Sequence, residues 1–332
     1  MIRTVRTLAV AALAAAAMIG AAGGATAAEG PRGPAQCPRA CMEGLVDRYL
    51  AALVRHDPSG LPLAAHVRFT ENTRAIPVGE GLWAVATEAP TSFKLYGVDP
   101  ATGQAGFIGM MKEQGRPVLF VLRLKVVNGR IVEAEHLIAR NLSAASLANL
   151  QAPRPALLAD VPAAERTSRE EMINAVDNYF DGVSGGDGSL PPFADDCVRH
   201  ENGLRTTLAA PAAGAPATPT AGPEIFALLM TYGCKAQLDT GAFAYIFRIW
   251  PRRIDFVDEQ KGLVWSFPAF NEGGGKGVVP LKGVPGVPTL PVRPVASTTV
   301  GAEVFKIRGG RIHEVEGAGA VELPYGSTSG WD

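Results

Sequence analysis

Metal-ligand patterns are what this chain most obviously lacks. Its 5 histidines, at 56, 66, 136, 200 and 313, are scattered, and its 4 cysteines are not joined to them at zinc-finger spacing, so no metal is expected. Runs of Lys and Arg are missing too. With 31 basic against 32 acidic residues, there is no footprint for a nucleic-acid backbone or an anionic membrane surface. After the first 28 residues no apolar stretch reaches spanning length, so no membrane association is expected once they are removed. An apolar fraction of 47% excludes wholesale disorder.

Residues 1–28 have the pattern of an export signal. Arg3 and Arg6 form a basic start, Leu8 to Ala22 is apolar and Ala-rich, and Ala25-Thr26-Ala27 offers small residues for cleavage. No twin arginine and no lipid-accepting cysteine accompany it. The expectation is a periplasmic or secreted protein. Loss of residues 1–27 removes two arginines and no acid, giving 29 basic against 32 acidic residues and a net charge of −3. An oxidising compartment permits disulfides. Four cysteines allow three connectivities; pairing within each half, Cys37–Cys41 and Cys197–Cys234, is the economical one because it needs no link between halves.

The chain repeats itself. Shifted by 130 positions, Val46 to Asn72 falls on Val176 to Asn202 without a gap, and nine of the 27 pairs are identical. Val46, Asp47 and Tyr49 meet Val176, Asp177 and Tyr179; Glu71-Asn72 meets Glu201-Asn202. Further on, Gly129-Arg130-Ile131 answers Gly310-Arg311-Ile312. The second copy is longer, with an Ala/Pro/Thr-rich stretch at 206–223 and a Gly/Pro-rich stretch at 273–294, both expected as surface loops.

Each copy opens with a helical stripe: Leu45, Tyr49, Ala52 and Leu53 in the first, Met172, Val176, Tyr179 and Val183 in the second. Strands are expected at 66–72, 92–99, 104–112, 117–127 and 130–139. In 118–127 both alternating faces are partly apolar, which places that strand between two packed layers. Helix followed by antiparallel sheet, twice over, is α+β. The expected domains are 37–142 and 169–320, with a linker at 143–168 and a tail at 321–332.

The residues Asp47-x-Tyr49-Leu50, Thr70-Glu71-Asn72, Gly79-Glu80-Gly81-Leu82-Trp83 and Gly129-Arg130-Ile131 resemble the SnoaL-like branch of the NTF2-like superfamily. More closely, they resemble a largely uncharacterised group of exported bacterial and fungal proteins. The resemblance implies two tandem cones, each a curved antiparallel sheet around helices with an apolar cavity, packed as an internal pseudo-dimer. It also implies cofactor-independent acid–base chemistry, as in the family's isomerases, dehydratases and lyases, or binding alone. The second copy lacks the Gly-Glu-Gly-Leu-Trp segment.

Strand parity supplies the candidate residues. In 130–139, Val132, Ala134, His136 and Ile138 share a face. His136 is a candidate general base, since imidazole already titrates near neutrality; the alternative is a packed histidine with satisfied nitrogens. Glu71 shares a face with Val67 and Phe69, where apolar neighbours would raise a carboxyl pKa, but Glu and Asn at a strand end also bond turn backbone. Arg68 is a candidate assistant. Asn72, Trp83, Phe107, His200 and Glu201 are candidate ligand contacts, although tryptophans more often fill cores. Asp99 and Asp258 are expected to cap turns, and the pairs Glu133/Glu135 and Glu314/Glu316 to face solvent. The expected partner is a small hydrophobic molecule, aromatic or polycyclic, with no cofactor; further oligomerisation stays open. The alternatives are a binder of the same shape and a protein-interaction module.

Overall fold

The computed structural model describes residues 37–331 apart from 212, 213, 215, 217 and 276, so the expected export signal lies outside the described residues. The apolar stripe of the first copy folds as α1 (Arg39–Val54), with Leu45, Val46, Tyr49, Ala52 and Leu53 buried. There follow β1 (Leu63–Glu71), β2 (Arg74–Ala75), the short α2 (Leu82–Val85), β3 (Ala86–Glu88), β4 (Lys94–Asp99), β5 (Gln104–Glu113), β6 (Arg116–Val127) and β7 (Arg130–Ala139). The linker carries α3 (Ala144–Asn149) and α4 (Pro155–Leu158). The second copy opens with α5 (Arg169–Gly185), which a Ser168/Glu171 capping box starts and a left-handed Gly186 stops. Then come β8 (Phe193–Glu201), β9 (Leu204–Arg205), α6 (Gly222–Leu229), α7 (Cys234–Asp239), β10 (Ile246–Ile249), β11 (Ile254–Asp258), β12 (Leu263–Ser266) and β13 (Ala269–Glu272). The chain ends with β14 (Val278–Pro280), β15 (Thr289–Pro291), β16 (Ser297–Arg308) and β17 (Arg311–Pro324).

The class is mixed α+β, as the sequence implies. The first sheet has the order β2-β1-β7-β6-β5-β3, with β4 also on β5. The second runs β9-β8-β17-β16-β13-β10, with β12 also on β16 and β11 on β12. The duplication read in the sequence is therefore repeated in the strand order, except that two short strands, β12 and β13, stand where the first copy has the unbroken β5. Each sheet contains a parallel pair, β1 with β7 and β8 with β17, and these registers place Glu71 opposite His136 and Glu201 opposite Gly317.

One face of each sheet packs on its own helix; the other faces meet. Leu95, Ile108, Leu119, Val121 and Leu137 of the first sheet share a buried layer with Phe256, Trp265, Phe267, Val300 and Val304 of the second. This fits the doubly apolar strand 118–127. Gly97 and Gly106 let the Trp265 ring lie on the first sheet's backbone; a β-carbon at 106 would come within 2.6 Å of Phe256. Asp99 and Asp258 cap their turns, through Ala101 N–H at 3.1 Å and Lys261 N–H at 3.1 Å. They also reach across reciprocally: Asp258 accepts from Val98 N–H (3.0 Å) and Asp99 from Val257 N–H (3.3 Å). Arg39 pairs with Asp258 and Arg169 with Asp99. The contacts are reciprocal: each aspartate accepts from the residue that precedes the other.

The solvent-facing assignment of the glutamates is corrected. Glu135 and Glu316 are buried, because a sheet face that looks outward in an isolated copy is covered in the whole chain. Arg123 (2.8 Å) and Arg253 (2.7 Å) neutralise Glu135, and Arg154 from the linker (2.6 Å) neutralises Glu316. Buried carboxylates persist only with such partners. Both within-half disulfides, Cys37–Cys41 and Cys197–Cys234, are closed; the second ties β8 to α7. No helix among the described residues is long and apolar enough to cross a membrane.

Candidate functional site

The interior of the first copy is closed. His136 is fully buried, its Nε2 2.8 Å from the Tyr49 hydroxyl, with the rings of Phe69 and Phe120 each 4.7 Å away. Glu71 faces Nδ1 at 3.6 Å, beyond hydrogen-bonding distance, and accepts from Leu82 N–H at 2.7 Å. Burial pulls the His136 pKa below its ordinary value against the opposing pull of Glu71. For Glu71, burial pushes upward, but the facing imidazole, Leu82 N–H and Arg140 outweigh it and hold the carboxyl below its usual range. The pair is therefore neutral imidazole and carboxylate. Trp83, with no exposed surface, closes over Tyr49 edge-on at 5.1 Å. The Gly-Glu-Gly-Leu-Trp segment thus covers this site. Tyr49→Phe should destabilise the protein by about 1–3 kcal/mol, since it strips a buried partner from His136; denaturant titration checks this.

The other first-copy candidates separate. Phe107 is buried against Tyr96, 5.0 Å between rings. Asn72 makes a turn: it has φ 45°, its N–H donates to His136 O and its Oδ1 accepts from Ile138 N–H. Arg68 lies on the opposite strand face, exposed, bonded to Gly330 O with its guanidinium 4.4 Å from the Trp331 ring. It does not meet His136, because adjacent strand positions point to opposite faces. His200 likewise turns away from its neighbour Glu201; burial, helped by Arg154 and Arg205, lowers its pKa to about 3.

The second copy holds an open cavity of about 410 Å³, mostly apolar, and of the candidate catalytic and ligand-contact residues only Glu201 lines it, together with Tyr179 and Val183 of the helical stripe. Comparing the copies explains why. By the 130-residue shift, core Phe69 corresponds to Arg199. By the Gly-Arg-Ile alignment, Leu122 corresponds to Glu303 and His136 to Gly317. The registers agree: Leu122 sits opposite His136 in the first sheet, and Glu303 opposite Gly317 in the second. A Leu/His cross-strand pair has become Glu/Gly, so the titratable group has crossed to the neighbouring strand. Gly317 leaves the space into which the Glu201 carboxylate leans. Phe226 and Met230, on and after α6, and Gln237 on α7 are among the described residues that line the cavity.

The polar groups of the cavity converge. Arg199 donates to Gln237 (2.9 Å) and Glu201 (2.9 Å), and its guanidinium lies 5.6 Å from the Tyr179 ring and 5.2 Å from that of Phe243. Glu303 is 4% exposed; its Oε1 is 3.5 Å from the Tyr179 hydroxyl, and its Oε2 is buried with no protein partner. Burial first, and the Glu201 charge second, push the Glu303 carboxyl up to about 8 against the pull of Arg199. The shift is toward the protonated acid, the form of a carboxyl group that can donate a hydrogen bond. Sequence reasoning missed Arg199 and Glu303 and read Tyr179 only as part of a helix's apolar stripe. The available signal was substitution between the copies: an arginine and a glutamate at positions where the first copy has Phe69 and Leu122.

Residues 165–318 match the family model described as a domain of unknown function (DUF8021). No curated protein matches the chain. Among solved structures, the crystal structure of a protein from Sphaerobacter thermophilus is similar at 17% identity, covering 29% of this chain and 94% of its own, with a TM-score of 0.24. At that score the likeness carries no argument.

Proposed function

We propose that the chain is an exported tandem of SnoaL-like, NTF2-like cones forming an internal pseudo-dimer, and that its second cone binds a small, mainly apolar molecule and acts on it by acid–base chemistry. The repeated strand order and the reciprocal Asp99 and Asp258 contacts support the pseudo-dimer. The two disulfides suit an oxidising compartment. The observation that carries the functional reading is the buried, unpartnered Oε2 of Glu303 in a cavity lined by apolar side chains. A buried polar atom without a partner is expensive unless a ligand or water supplies one.

In this reading Glu303 enters the reaction protonated and gives its proton to a carbonyl or departing hydroxyl oxygen. The carboxylate it becomes is then the base that takes a proton from carbon. That sequence serves an isomerase, a dehydratase or a lyase and needs only the residues in the cavity. Arg199 holds Glu201 and stabilises the transient Glu303 carboxylate.

The test is the thermal midpoint of the mature protein against a panel of small hydrophobic molecules. A true ligand at 100 times its Kd stabilises by about 2.7 kcal/mol. Gly301→Phe is the control: a β-carbon there meets nothing closer than 3.4 Å, so the ring can enter the cavity without a backbone clash. Wild-type shifts that vanish in Gly301→Phe are expected; a flat panel, or shifts that survive the substitution, contradict the reading.

A further inference from the structure

The Gly/Pro-rich insertion at 273–294 helps to build two hollows beside the cavity. The nearer, of about 320 Å³, shares Phe226, Tyr245 and Glu272 with the cavity and adds Val292 and Val295 beside the polar Arg293 and Ser297. The outer, of about 500 Å³, shares Tyr245, Gly273 and Val292 with the nearer one and is walled by Phe247, Val278 and Tyr325. Tyr245 lines all three, so the hollows lie side by side around it, with Glu303 in the wall of the cavity alone. The outer walls expose unusual amounts of apolar surface: Phe247 49%, Val278 48% and Tyr325 57%. The Phe247 and Tyr325 rings lie 5.8 Å apart, so these are one patch and not isolated residues. Contiguous apolar surface of this kind marks a binding groove.

The groove is also firmly built. The β14–β15 hairpin anchors it through Val279 and Leu290, which share a small core with Ile225 and Leu229 of α6. A hairpin that merely extended a loop would not need its own core. In the first copy β5 pairs with β6 along its whole length, from Gln104 to Glu113, without such an insertion.

We infer that the ligand is an elongated amphiphile, with a hydroxyl or carbonyl head at Glu303 and an apolar chain that passes Tyr245 to lie against Phe247, Val278 and Tyr325. This rests on the proposed function and adds the ligand class. It departs from the compact aromatic or polycyclic molecule expected from the sequence, since a compact ligand would use the inner cavity and leave the outer groove empty.

The experiment is the affinity of the mature protein for primary alkanols from hexanol to dodecanol, in wild type and in the double variant Phe247→Ser/Val278→Asp. Both positions are surface-exposed, so the substitutions should leave folding nearly intact. In wild type the affinity should rise by about fourfold per methylene throughout the series. The double variant should bind hexanol as wild type does and lose the gain made by longer chains. Affinity that levels off at the shortest chains overturns the inference, as does a double variant that weakens hexanol and dodecanol equally. If neither the alkanols nor the hydrophobic panel binds, the parent reading fails; if the panel binds and the alkanols do not, only this inference fails.

Discussion

In the proposed acid–base reaction, Glu303→Gln should abolish nearly all turnover, by about a hundred- to ten-thousandfold, while flattening the pH dependence of stability. The sign follows from proton binding. The unfolded chain gives up this proton near the ordinary carboxyl value of 4.5, whereas burial holds it in the fold to about 8. Between those values the folded state binds more protons than the unfolded one, so stability is fully present below pH 4.5 and falls as pH rises to about 8. Glutamine has no proton to lose, so the variant gains on wild type across the window, by on the order of a few kcal/mol at its upper end.

Other groups must be separated from it. Glu316, raised to about 7 by burial against the pull of Arg154, adds a slope of the same sign that ends lower. His136 and His200, both depressed by burial, add a slope of the opposite sign at acid pH, where the unfolded histidines bind protons that the folded ones refuse. The clean comparison is therefore wild type against Glu303→Gln from pH 6.5 to 8.5, by denaturant unfolding. Parallel curves would mean that Glu303 is ionised in the fold and is not the proton donor.

Trp265→Ala should cost about 3–5 kcal/mol, the range for deleting a large buried aromatic. The ring stacks on Phe256 at 5.2 Å and 17° and lies against the first sheet's backbone at Gly97 and Gly106, within the shared apolar layer. The site cannot collapse easily, because those neighbours are strand backbone. For a chain this long the midpoint should drop by on the order of ten degrees, in one transition, since the layer belongs to both sheets. A change below about 1 kcal/mol would mean that the shared layer contributes little to the fold.

What was legible in the sequence was whatever repeats or alternates. The 46–72 and 176–202 match announced two copies, the stripes through Tyr49 and Tyr179 announced their helices, and the doubly apolar 118–127 announced a layer between sheets. What was hidden depends on how the copies meet. Glu135 and Glu316 were expected to face solvent, but the packed whole covers that side and brings Arg253 and Arg154 to them. The open cavity of the second copy was hidden for a related reason. His136 attracted attention because imidazole titrates near neutrality unaided, yet Trp83 and Leu82 seal it. Glu303 looked ordinary because its pKa is made by burial, and burial is not written in the local sequence. Set against Leu122, it is a charge at a core position, and that contrast could have been read.

The central claim is that Glu303 stands protonated in the second copy's cavity, ready to meet a ligand. Carboxyl-carbon NMR of glutamate-labelled protein, with the Glu303 resonance assigned by its loss in Glu303→Gln, measures this directly. The account predicts a midpoint near 8 without ligand and a shift of that resonance when a cavity ligand is added. Titration near the ordinary carboxyl value, together with a resonance indifferent to ligand, would contradict it.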